Sequence, residues 1–176
     1  MFNVDDLVLY GFTGVCRVAE IKAISFDDPN EKELYYVLEP LYQECTISTP
    51  VDNTRIPMRA ILTKKEAEDL IDRIPELDTE MFHSSVLREL TEFYDQYLNT
   101  YEADKLIQLC LSIYNKRDIQ REINKKLGAT DERYLKQAES LLFGEFAVIF
   151  EKDPEEIADF IGERLNSDWQ KINISE

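Results

Sequence analysis

The sequence predicts an α+β protein, a small Tudor-like or SH3-like β-barrel followed by an all-α domain of four to five helices. Three observations carry that reading. The first sixty residues hold short runs with period-two alternation, rich in Tyr, Val, Ile and Thr, and no helical period. From about residue 63 the apolar period changes to 3.6 and keeps that value. The stretch Val8-Leu9-Tyr10-Gly11-Phe12-Thr13-Gly14-Val15-Cys16-Arg17-Val18 spells out a strand, a glycine-bracketed reversal and a second strand. Gly11 and Gly14 flank the reversal, where positive φ values are needed at its edges.

Taken in order, four strand-like runs fit the β module: residues 7–10, 15–24, 34–39 and 45–49. Phe26-Asp27-Asp28-Pro29-Asn30 supplies the turn between the second and third, and Pro50 and Pro57 close the module. The short strands lack helices between them, which suits a small barrel better than a doubly wound sheet. Thr63-Lys64-Lys65-Glu66 is a capping box for a first helix with the stripe Ala67, Leu70, Ile71 and Ile74, stopped at Pro75. A second helix is expected over 84–98, with Leu87, Leu90, Tyr94 and Tyr97 or Leu98 inward. A third starts near Ala103, carries Leu106, Ile107, Cys110, Ile113 and Tyr114, and is expected to reach Leu127 before Gly128 ends it. The fourth spans 131–150, with Leu135, Ala138, Leu142, Phe146 and Ile149 as its stripe. Asp153-Pro154-Glu155-Glu156 opens the last, N-cap then proline, with Ile157, Phe160, Ile161 and Leu165 buried. The expected domains are residues 1–62 and 63–166, with 167–176 a loosely held tail in which Trp169 anchors onto the helices.

Composition narrows the function classes. The start MFNVDD has no basic or apolar leader and no apolar run spans a bilayer, so a cytoplasmic protein without a membrane partner is expected. Three scattered cysteines without a CxxC argue for reduced thiols and against a zinc site or a disulfide framework. The net charge of −16 opposes nucleic-acid binding as a whole-chain property, yet residues 116–136 alone carry a net +3. Within them Lys116, Arg117, Arg121, Lys125, Lys126 and Arg133 form a candidate phosphate-contacting patch, with Arg121 and Lys125 four residues apart on one helical face. The alternative is a solvated face with cations placed near a helix C-terminus. Catalysis has no footing: there is one histidine, His83, no nucleophile-elbow, Walker or HExxH motif, and no cofactor is implied.

The residues that remain have an ordered pattern. Asp6, Val8-Leu9-Tyr10, Gly14, Val18, Ile21, Tyr35-Tyr36-Val37-Leu38, Thr46-Ile47, Thr49-Pro50 and Met58-Arg59 resemble the N-terminal module of the CarD/CdnL family of bacterial transcription regulators, a module related to one in transcription-repair coupling factor. Ile74-Pro75-Glu76-Leu77, Ile113-Tyr114-Asn115-Lys116-Arg117, Asp131-Glu132-Arg133-Tyr134, Ala138-Glu139 and Leu142-Phe143-Gly144-Glu145 are similar to the helical half, so the resemblance spans about residues 1–162. It implies a Tudor-like module docked on the RNA polymerase β subunit, here through Ile24, Tyr36, Thr46, Ile47, Ser48 and Thr49. It also implies a helical domain on promoter DNA that modulates open-complex stability. Where many members carry Tyr-Pro-x-His-Gly this chain has Tyr10-Gly11-Phe12-Thr13-Gly14, and the family's wedge tryptophan after Pro-Glu-Leu is absent. Phe82 is the candidate in its place, since apolar wedges need not be tryptophan. The competing reading is a non-enzymatic adaptor whose acidic helical domain binds protein rather than DNA. A monomer is expected, with the module's sheet edge reserved for strand addition.

Overall fold

The computed structural model describes residues 1–25 and 32–169, so the expected turn at 26–30 and the end of the tail lie outside the described residues. Two compact units result, divided between Ile61 and Leu62.

The N-terminal unit is one antiparallel sheet of β1 (Leu7–Tyr10), β2 (Gly14–Ile24), β3 (Glu33–Pro40), β4 (Ile47–Pro50) and β5 (Met58–Ala60), in the order β4-β3-β2-β1-β5. A 3-10 turn at Gly11–Thr13 joins β1 to β2, with Gly11 at φ 47° and Gly14 at φ 89°. Gly11 has a second reason to lack a side chain, because a Cβ there would stand 2.7 Å from Ile56 Cγ2. Val8, Tyr10, Cys16, Val18, Tyr36 and Leu38 form the core, flanked by Phe2, Ile21, Ile47, Val51 and Met58. A bulge between Val18 and Glu20 shifts the β2–β3 register by one residue.

Two expectations change here. β5 was absent from the four strands read in the sequence, since three residues after a proline give no alternation to see. The sheet is also open rather than a closed barrel: β4 and β5 are its ends and do not pair with each other among the described residues. Pro50 ends β4 and Pro57 precedes β5, and a residue without an N–H cannot extend a ladder.

The second unit contains α1 (Lys64–Asp72), α2 (Leu87–Leu98), α3 (Ala103–Glu122), α4 (Ala129–Phe150) and α5 (Ile157–Leu165). The Thr63/Glu66 capping box forms in both directions, and its hydrogen bonds hold the Glu66 carboxyl below its ordinary range. α3 is buried around most of its circumference, with Leu106, Ile107, Leu109, Cys110, Leu111, Ser112, Ile113 and Tyr114 all buried. Trp169 is 1% exposed and meets Tyr114 and Phe143 edge-on at ring separations of 5.3 and 6.0 Å, as an anchor should.

Two helix boundaries differ from the pattern. α2 starts at Leu87, which is 62% exposed, because the Ser84 hydroxyl accepts from Val86 N and donates to Glu89, holding 84–86 in a turn. α3 stops at Glu122, not near Leu127. Asn124 adopts φ 55°, its N–H bonds Arg121 O at 3.0 Å, and the Lys125 N–H bonds Gln120 O at 2.8 Å. That is a Schellman ending with asparagine in the left-handed position glycine usually takes. Gly128 is accordingly the N-cap of α4 rather than the end of α3.

Candidate functional site

Among the described residues the β4 strand is an end strand with β3 beside it, registered Leu38↔Ile47, Val37↔Ser48, Tyr36↔Thr49 and Tyr35↔Pro50. Its side chains alternate, Ile47 and the buried Thr49 on the core face and the exposed Ser48 on the other. Such an edge presents backbone donors and acceptors to an incoming strand.

The structure divides the six residues expected at this surface. Thr46 and Ser48 are exposed together, whereas the half-buried Ile47 packs its side chain against the core. Tyr36 and Thr49 place their side chains in the interior, and the Tyr36 hydroxyl accepts a hydrogen bond from the Phe2 N–H at 2.9 Å. Thr49 therefore offers its backbone only, and Tyr36 braces the sheet beneath. Ile24 pairs with Glu33, at the opposite end of β3 from the Leu38↔Ile47 pair. Five residues of strand put it roughly 17 Å from the Thr46–Ser48 end.

The second candidate lies in the helical unit, where the chain turns from α3 into α4. Lys125 and Lys126 are exposed and line a cleft of about 590 Å³ with His83, Gln120 and the first turn of α4, with Lys116 buried in its wall. Arg121 is exposed and shares Asp118 with Arg117, each 3.5 Å from Asp118 Oδ1. The Arg117 guanidinium lies 4.7 Å from the Tyr114 ring centre, half-buried and turned inward. Arg133 is exposed, with its guanidinium 5.0 Å from the ring of Tyr134.

Lys116 departs most from the sequence reading. Its ammonium is buried and donates to Asp131 Oδ1 at 2.8 Å, the two side chains being 6% and 4% exposed. Tyr94 donates to the same oxygen at 2.6 Å, so one residue from each of α2, α3 and α4 meets there. Burial first, and Asp131 second, raise the Tyr94 pKa and keep the phenol protonated. Tyr134 makes a parallel link, donating to Asp95 at 2.7 Å. Sequence reasoning missed this network, although Leu109, Ser112 and Lys116 share the 3-and-4 spacing of an inward face.

Phe82 is half-buried and stacks on Phe93, centroids 4.6 Å apart and planes 14° apart. Its segment is fastened to α3, with Ser112 Oγ donating to Glu80 O at 2.6 Å and Gln108 donating to Asp78 O. Among the described residues no group of three His, Cys, Asp or Glu side chains is placed to hold a metal ion. No helix there is long and apolar enough to cross a membrane.

These features meet the comparisons with known proteins at the sheet. Residues 2–62 match the family model described as the CarD-like/TRCF RID domain. The N-terminal unit belongs to that family. The RID family interacts with the RNA polymerase β subunit, so residues 2–62 are an RNA polymerase-interacting, CarD-like domain related to transcription. This family is generally non-enzymatic. The match ends where the helical unit begins, and no curated protein matches the chain.

Proposed function

We propose that the protein is a CarD-like transcription regulator. Its RID docks on the polymerase β subunit by strand addition at β4, and its helical unit contacts upstream promoter DNA to modulate open-complex stability. The observation that carries the reading is the RID match over residues 2–62 together with the open β4 edge, exposed at Thr46 and Ser48. The DNA contact is carried by Arg121, Lys125, Lys126 and Arg133, whose exposed charges fit a phosphate backbone. Phe82 serves as a wedge only by leaving its stack on Phe93. A site of so few cations on a chain of net charge −16 binds DNA weakly alone and gains from the concentration that polymerase docking provides.

Mechanistically, a protein that touches polymerase and DNA more strongly in the open complex shifts the opening equilibrium by that difference and no more. A tenfold change in open-complex lifetime corresponds to about 1.4 kcal/mol of differential contact. The adaptor reading is favoured by one feature: Lys116 and Arg117 turn inward, and Arg117 and Arg121 share an acid, which thins the basic patch. Open-complex lifetime, measured with the full chain across a salt series, separates the two. A lifetime change that Lys125→Gln/Lys126→Gln reduces supports DNA contact. A change indifferent to those substitutions supports the adaptor, and no change with either protein contradicts the regulator.

A further inference from the structure

The proposed DNA contact raises the question of what holds Lys125 and Lys126 in place on a short turn. Lys116 stands two turns before the end of α3, about 9 Å back along its axis from Glu122. Asp131 is the third residue of α4. The chain between them runs out along α3, reverses at the left-handed Asn124 and returns through Gly128, so the Lys116–Asp131 pair closes the base of this hairpin. Tyr94 fixes the shared Asp131 oxygen from α2. The carboxylate also folds over its own N-cap, where a Cβ on Gly128 would come within 3.1 Å of Asp131 Oδ2. Gly128 has an ordinary φ of −68°, so an alanine there would meet the Asp131 carboxylate rather than a backbone penalty.

We infer that Lys116 and Asp131, braced by Tyr94, are positioning residues for the Lys125–Lys126 turn and that Lys116 is not itself a phosphate contact. The inference rests on the DNA reading for its consequence, but its geometry can be read independently. Electrostatics and positioning predict opposite signs for Asp131→Asn. Removing an acid beside a basic turn strengthens DNA binding if charge alone matters, whereas loss of the closure weakens it.

The test uses the full chain and a duplex promoter fragment, with affinity followed against salt and amide exchange followed over residues 123–130. Asp131→Asn should weaken DNA binding at least about threefold despite the lost negative charge. It should also speed exchange of the turn amides about tenfold while leaving α5 unchanged. Gly128→Ala should speed exchange in the same amides. Because Asp131→Asn removes the charge partner of a buried ammonium, Tyr94→Phe/Lys116→Met/Asp131→Leu, which removes the whole polar network at once, serves as the folded control. An apolar trio keeps the helices together, so its affinity should return to within about twofold of the parent. Equal or tighter DNA binding by Asp131→Asn, or unchanged turn exchange, overturns the inference. So does a triple variant that exchanges like the parent yet binds weakly, with a log–log salt slope lower by about one, the mark of a lost phosphate contact. If Lys125→Gln/Lys126→Gln leaves DNA affinity unchanged, the DNA reading has failed, and the exchange data alone decide the positioning claim.

Discussion

At Gly11 two constraints coincide, a φ of 47° and a Cβ position 2.7 Å from Ile56. Gly11→Ala should therefore destabilise the N-terminal unit by about 1–3 kcal/mol, seen as a lower urea midpoint, whereas the open space around Gly14 leaves only the backbone penalty there. Cysteines show how burial sets reactivity. The Cys16 thiol is pushed up to about 11, mainly by burial, Cys110 is raised as well, and Cys45 is exposed. At pH 8 a thiol reagent should label Cys45 rapidly and the other two only on unfolding, with three rapid sites contradicting this packing. Gly11 and Gly14 were legible because backbone need shows in residue type. Lys116 was not, because a lysine in a basic run looks the same in sequence whether it faces water or Asp131.

Among the elements, local signals located most of the chain and failed where hydrogen bonding overrode periodicity. The capping box of α1 and the stripes of α3 and α4 were readable from spacing alone. β5 was not, since its partner β1 lies about fifty residues away, and α3 ended early because Asn124 took a role usually given to glycine. α1 is tied to α5 by Arg164, which donates to both Asp72 oxygens at 2.7 and 2.8 Å and holds the Asp72 carboxyl below its ordinary range. A depressed carboxylate pKa adds stability that is present above the unfolded value near 4 and lost as pH falls through the folded value. The helical unit should thus weaken in acid, and Asp72→Asn should flatten part of that slope in melts between about pH 2 and 5. Trp169 gives the larger effect. Trp169→Ala should cost about 3–5 kcal/mol by emptying the space against Tyr114 and Phe143, and a loss below about 1 kcal/mol would contradict its anchoring role.

For the molecule as a whole, charge and topology argue for a protein that acts through a partner. With a net charge of −16, free binding to DNA is disfavoured, so the proposed DNA contact depends on the local concentration that polymerase docking would give. The α+β order and the RID relationship were visible in the residues themselves, from Tyr10-Gly11-Phe12-Thr13-Gly14 to Thr49-Pro50. What they did not reveal was the sheet's openness and which of the edge residues point outward, since both depend on pairings between distant strands. The direct measurement is binding of the full chain to RNA polymerase, compared with a Thr46→Glu/Ser48→Glu variant that charges the β4 edge while sparing the core. The parent should bind and the variant should lose at least about tenfold in affinity with its circular dichroism unchanged, worth about 1.4 kcal/mol. Equal binding by both would place the contact elsewhere on the domain and contradict docking at this edge.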